Sequence, residues 1–258
     1  MSRGLRRERD AWTALRALTP ARIALGRAGG SLPTAALLGF DAAHAAARDA
    51  VWTELDLDRL EAELAPLGLP SLRLRTLAPD RATYLRRPDL GRRLEASSAV
   101  RLAEAAPPGG CDVALVIGDG LSATAAQRHA PALATALAER VRQRGLRLGP
   151  VALVRQARVA VEDPIGAALR ARAAVILLGE RPGLGSPDSL GAYLVLGPGP
   201  GRTDAQRNCV SNVRPEGLAL TAAAELLGWL LGEALRRGLS GVGLKDERGL
   251  LGGSATAR

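Results

Sequence analysis

The side chains best suited to chemistry gather between Ala174 and Gly217. Glu180, Arg181, Asp188 and Ser189 follow one apolar run there, and Arg202, Asp204, Arg207, Asn208, Cys209, Asn212 and Arg214 follow another. Arginines suit two-point contact with carboxylate or phosphate. Glu162, Asp163 and Glu180 offer carboxylates for acid–base work, although carboxylates among arginines are commonly just paired with them. A serine hydrolase would need G-x-S-x-G and a histidine base, and neither is visible. A metal site needs clustered ligands. His44 and His129 lie in separate predicted helices without such neighbours.

These residues need elements to hold them. Ala174–Leu178 is short, apolar and rich in branched side chains, and it ends at a turn signal. That pattern predicts a buried strand of a parallel sheet. A polar, glycine-punctuated loop at the carboxyl end of such a strand is where open α/β sheets bind ligands. Tyr193–Leu196 predicts a second strand leading to the second loop, so the two loops can wall one cleft.

Upstream, Asp112–Ile117 and Val151–Val154 predict two more strands. Gly118-Asp119-Gly120-Leu121-Ser122 reads as a tight turn, with Ser122 as N-cap of a long helix over Ala123–Arg144. Val159–Asp163 reads as loop or as the entry to a helix reaching Arg170, and Leu218–Gly238 as a long helix. Alternating strand and helix predicts a doubly wound, mostly parallel, Rossmann-like sheet over residues 111–258. Residues 1–110 read as a smaller, mainly helical region for subunit docking, ending at the P-P-G-G linker. Within it, Met1–Leu18 reads as a basic amphipathic helix. Thr34–Asp49 reads as a helix with Leu37, Phe40, His44 and Arg48 stacked on one side. Ala50–Pro79 reads as charged helix and irregular chain, and Pro88-Asp89 as a helix start. Thr19–Pro33 is glycine-rich but lacks both G-K-[ST] and G-x-G-x-x-G, so it reads as a connector.

The chain has 258 residues and a net charge of +9, with Lys245 as the only lysine. The arginines are spread along it rather than clustered, and aromatics are 2%. Both features argue against nucleic acid, which wants a basic patch or exposed rings. Cys111 and Cys209 are too few for a disulfide framework. No signal-peptide pattern or membrane-length apolar run is visible, so the expectation is a cytoplasmic protein that avoids membranes. On these grounds the chain is an α/β ligand-binding protein. A stand-alone nucleotide- or anion-binding module remains open beside an enzyme subunit.

Longer motifs narrow this. They include P-A-R-I-A-L-G-R-A-G at Pro20–Gly29, R-P-D-L-G-R-R-L at Arg87–Leu94, G-D-G-L-S at Gly118–Ser122 and A-R-V-A at Ala157–Ala160. They continue with G-E-R-P-G-L at Gly179–Leu184, D-A-Q-R-N-C-V-S-N-V-R-P-E-G at Asp204–Gly217 and G-L-S-G-V-G-L-K-D-E at Gly238–Glu247. In these motifs, and almost end to end, the chain resembles the small subunits of ethanolamine ammonia-lyase. The resemblance implies a lyase that converts ethanolamine to acetaldehyde and ammonia with adenosylcobalamin. It implies a hetero-oligomer in which a (β/α)₈-barrel large subunit does the radical chemistry and the small subunit walls the cofactor. Carried over by motif, the cobalamin contacts are Val159, Glu180 and Cys209. No catalytic residue and no metal ligand is expected from this chain. Cobalamin is expected to keep its own benzimidazole on cobalt (base-on), because neither His44 nor His129 stands in an Asp-x-His-x-x-Gly motif. Arg181, Arg207 and Arg214 are the candidates to face the cofactor's phosphate. The family also implies, in many organisms, residence in a bacterial microcompartment.

Overall fold

A computed structural model describes residues 10–251. The first half of the expected Met1–Leu18 helix lies outside them, and its second half is a 3₁₀ helix over Ala11–Leu18. Helix α1 (Thr34–Trp52) and helix α2 (Leu57–Leu64) follow. Strand β1 (Ser71–Arg75), helix α3 (Arg81–Arg86) and helix α4 (Ala96–Glu104) complete the amino-terminal part. Then come β2 (Cys111–Gly118), α5 (Ala123–Gln143), β3 (Val151–Arg155), α6 (Glu162–Ala168) and β4 (Ala171–Gly179). Strands β5 (Leu190–Leu196) and β6 (Arg207–Val213), helix α7 (Leu220–Arg237) and the short α8 (Arg248–Leu251) end it.

The six strands form one sheet in the order β1-β3-β2-β4-β5-β6. Alternate side chains on the central strands feed two separate cores. Val113, Leu115, Ile117, Val175 and Leu177 pack with α2, α5 and α7 on one face. Ala114, Val116, Val154, Ala174 and Ile176 pack on the other, where α4 and α6 lie. Both faces are apolar because both are covered. Ser122 caps α5 as its position predicts, accepting from the Ala125 amide at 3.1 Å.

Two expectations need correction. The sheet is mixed: β5 runs antiparallel to β4, and β6 antiparallel to β5. A parallel return needs a crossover, usually a helix. Residues 180–189 hold none, so the chain simply turns back. The second correction is β1, which falls in the stretch read as helical and irregular, yet pairs in parallel with β3 from Ser71↔Val151 to Arg75↔Arg155. The sheet therefore takes an edge strand from before the P-P-G-G segment.

Helix α1 forms where Thr34–Asp49 was expected to, but its apolar side is not buried. Only Ala50 is buried along it. Leu37, Leu38, Phe40 and Trp52 are exposed, Leu38 at 62%. The apolar stripe exists, but the described residues do not cover it.

Candidate functional site

The strand order reverses about β2, so a ligand of the doubly wound kind would lie at that strand's carboxyl end. The chain fills that space itself. On one side, Leu121 donates its amide to the Gly179 carbonyl at 2.9 Å. A β-carbon on Gly120 would stand 2.1 Å from that carbonyl oxygen. On the other side, the Asp119 carboxylate accepts the amides of Gln156 and Ala157, both at 2.9 Å, and the Arg81 guanidinium at 3.1 Å. Asp119 thus occupies the place where a nucleotide phosphate would meet loop amides. Burial pushes its carboxyl up, against the opposing pull of Arg81 and the amides.

The open cleft lies one strand pair further along. It encloses about 350 Å³ and is lined by Arg92, Arg158, Val159, Ala160, Tyr193, Asp204, Arg207 and Cys209. Four separate segments build it: Arg92, residues 158–160, Tyr193 of β5, and residues 204–209. Val159 opens a 3₁₀ turn, Val159–Val161, that leads into α6. Besides the Thr76 hydroxyl, which donates to the Gln156 carbonyl at 3.1 Å, four contacts fix the preceding backbone. Two are the amides held by Asp119; the third is Arg158 N–H donating to Gly91 at 2.8 Å. The fourth is the Tyr84 hydroxyl donating to the Ala157 carbonyl at 2.8 Å. Gln156 sits at φ 54°, a strained conformation for a non-glycine residue that these contacts hold in place.

Cys209 comes from β6, opposite Tyr193 on β5. Its segment was read as loop, whereas the structure makes it an edge strand. Cys209 is exposed to the cleft. Desolvation raises its thiol, the neighbouring Tyr193 hydroxyl pulls it down, and the Glu180 charge raises it further; the net shift is upward. At neutral pH it is a thiol, not a thiolate nucleophile.

Glu180 leaves β4 beside this cleft rather than lining it. Its Oε2 accepts from the Ser189 hydroxyl and from the Asn212 amide, the latter at 3.2 Å, so it ties both ends of its loop to β6. Its Oε1 borders Gly191 on the side where Tyr193 also lies. A β-carbon at Gly191 would come within 2.9 Å of Oε1 and 3.2 Å of the Tyr193 ring. The three expected contact residues therefore gather around Tyr193, although only Val159 and Cys209 share the cleft lining. Tyr193 was read merely as the start of a strand.

Beneath the cleft Arg207 is almost fully buried. It bonds Glu162 at 2.7 Å and reaches both oxygens of Asp163. This answers the question of Glu162 and Asp163: they are paired structural acids. Burial raises Glu162 well above its ordinary range, with Arg207 opposing. Arg214 turns instead to Asn212, Glu216 and the Gly185 carbonyl. His129 was placed away from the Glu180 loop, but its Nε2 meets Asp188 in that loop at 3.3 Å. His44 lies exposed on α1, stacked on Phe40 with ring centroids 6.2 Å apart. Among the described residues, no cluster of His, Cys, Asp and Glu has the makings of a metal site, and no helix is long and apolar enough to cross a membrane.

Fold and cleft together define a three-layer α/β protein with a polar, arginine-lined groove beside its antiparallel edge. Over residues 9–245 the chain matches the family of ethanolamine ammonia-lyase light chains. It is 58% identical to the ethanolamine ammonia-lyase small subunit of Ralstonia nicotianae, over 91% of this chain and 88% of that one. Identity to the small subunit of Azotobacter vinelandii is also 58%, over 92% and 88% of the two chains. For Xanthomonas campestris it is 56%, over 95% and 91%. The chain belongs to the ethanolamine ammonia-lyase small-subunit family.

Proposed function

We propose that this chain walls one side of an adenosylcobalamin site completed by the large subunit of ethanolamine ammonia-lyase, and that deamination of ethanolamine requires both chains. The observation that carries the reading is the meeting of Val159 and Cys209 in one cleft, with Glu180 beside it, from segments far apart in sequence. When bound, adenosylcobalamin supplies the radical chemistry, which no side chain here can begin.

The donor set fits this group. Cobalamin is fringed with amides and carries one phosphodiester. Glu180 Oε1 has no hydrogen-bond partner among the described residues and can accept from an amide N–H. Tyr193 and Cys209 can meet amide oxygens, Val159 offers backbone polarity and apolar contact, and the Arg158 Nε is buried without a partner among the described residues. A cleft of about 350 Å³ suits a drug-sized ligand and can take only one edge of a cobalamin. The remainder must lie against another surface. The uncovered apolar side of α1 supports docking of the amino-terminal region, through residue 110, onto that partner.

Base-on binding is part of the proposal, since neither His44 nor His129 lines the cleft. Location in the cytoplasm, and in a microcompartment where the cell makes one, follows the family; co-sedimentation with shell particles tests it. The functional test is acetaldehyde release from ethanolamine and adenosylcobalamin. It should need the large subunit and this chain together. Full activity from either chain alone would refute the proposal.

A further inference from the structure

The nucleotide tail of cobalamin places one phosphodiester charge wherever the site is built, and the cleft has three arginines to meet it. Arg207 is already spent on Glu162 and Asp163. Of the other arginines first considered, Arg181 and Arg214 lie outside the lining. Arg92 and Arg158 remain. Neither forms an ion pair among the described residues, whereas Arg81, Arg87 and Arg207 do. Their backbones are joined, because Arg158 N–H donates to the Gly91 carbonyl next to Arg92. Both arginines line the same cleft, so an anion entering it can meet two positive charges.

Arg158 is also held ready. Its guanidinium carbon stands 4.4 Å from the centroid of the Tyr84 ring. Gly91 leaves room for its stem: a β-carbon there would come within 2.9 Å of the Arg158 Cγ. The Arg158 Nε is buried with no hydrogen-bond partner among the described residues. A desolvated donor with no acceptor is costly unless a ligand supplies one. The one carboxylate of the lining among the described residues, Asp204, is 86% exposed and leans toward Arg207.

We infer that Arg158, with Arg92 beside it, receives the phosphodiester of the cobalamin nucleotide tail. The inference rests on the proposed cofactor site and adds the group within it that these side chains recognise. Arginine's planar fork suits a two-oxygen anion, and stacking on Tyr84 fixes the fork before the ligand arrives.

The test compares cyanocobalamin with dicyanocobinamide, which has the same corrin but neither the phosphodiester nor the nucleotide. Affinities are measured by equilibrium dialysis on the assembled complex with the large subunit. Arg158→Ala should weaken cyanocobalamin about 10- to 100-fold, the range expected for a charge-assisted bond. Dicyanocobinamide affinity should stay within about twofold, since it lacks the phosphate the arginine meets. Arg92→Ala, at an exposed position that the fold tolerates, should weaken cyanocobalamin alone by a smaller factor. In the wild-type complex, ³¹P NMR of bound cyanocobalamin should show a phosphodiester resonance displaced from free ligand, and Arg158→Ala should return it toward the free position. Equal losses for both ligands, or no loss in either variant, would overturn the arginine assignment and leave the cofactor site standing. A wild-type complex that binds neither ligand would overturn both.

Discussion

Tyr84 and Arg158 form a stacked pair, 4.4 Å from ring centroid to guanidinium carbon, that joins the amino-terminal segment to the loop bearing Val159. Arg81 covers the same ring at 4.8 Å. The Tyr84 hydroxyl bonds Ala157, two residues before Val159. Removing that hydroxyl in Tyr84→Phe should cost about 1 kcal/mol, the net worth of a hydrogen bond. Tyr84→Ala removes a fully buried ring and should cost about 3–5 kcal/mol. Urea unfolding measures both. Cofactor affinity of the complex should follow the ring rather than the hydroxyl, with Phe nearly normal and Ala weakened.

This pair also marks the limit of what the sequence discloses. Strands β2, β3 and β4 were legible because each is an apolar run covered on both faces. Strand β1 was not, because Arg73 and Arg75 alternate with Leu72 and Leu74, the pattern of a charged sheet edge. β6 was read as loop for a similar reason: Arg207, Asn208, Ser211 and Asn212 hide the buried Val210 and Val213. Apolar periodicity carries no strand direction, so β5 was read as a strand but its antiparallel direction was missed. The short, helix-free connection after β4 was the available sign. Glu180 and Cys209 stood out in the two polar loops, but their reading as cobalamin contacts, with Val159, came only through family resemblance. The roles of Tyr84, Arg158 and Asp119 depend on contacts between residues more than thirty-five positions apart, such as Tyr84 with Ala157, and no local pattern announces them.

The buried group of Arg207, Glu162 and Asp163 makes a pH prediction. Arg207→Leu leaves Glu162 buried without its countercharge, at a cost of about 3–5 kcal/mol. Burial pushes the Glu162 carboxyl well above its ordinary value of 4.5, against the pull of Arg207. A carboxyl with a raised folded-state value contributes most when protonated, below 4.5, and loses that contribution as pH rises through the folded value. The variant should therefore be weakest near neutral pH and regain stability as pH falls toward 4.5. Unfolding midpoints at a series of pH values check it; a defect independent of pH would contradict it.

The exposed apolar side of α1 makes a prediction about assembly. Leu38→Glu with Phe40→Glu should leave the fold intact, since both side chains are exposed, at 62% and 41%. Co-purification with the large subunit should fall by about tenfold or more, as expected when charges replace a buried apolar contact. Undiminished co-purification would place the partner elsewhere.

Base-on binding predicts that no protein histidine reaches cobalt. In the complex loaded with cob(II)alamin, ¹⁵N labelling of the protein histidines should leave the nitrogen superhyperfine pattern of the electron paramagnetic resonance spectrum unchanged. A change that disappears in His129→Gln would identify His129, now seen to meet Asp188, as a cobalt ligand.

The central claim is that this chain supplies a wall of the cofactor site, and its most direct test is the adenosylcobalamin affinity of the assembled complex when the cleft is blocked. Cys209 is exposed on β6, so Cys209→Phe can fill the cleft without disturbing either core. Followed by the cofactor's visible spectrum during titration, the variant complex should bind adenosylcobalamin about tenfold or more weakly than wild type, as steric exclusion from a shaped pocket implies, at an unchanged melting temperature. Wild-type affinity in that variant would contradict the account.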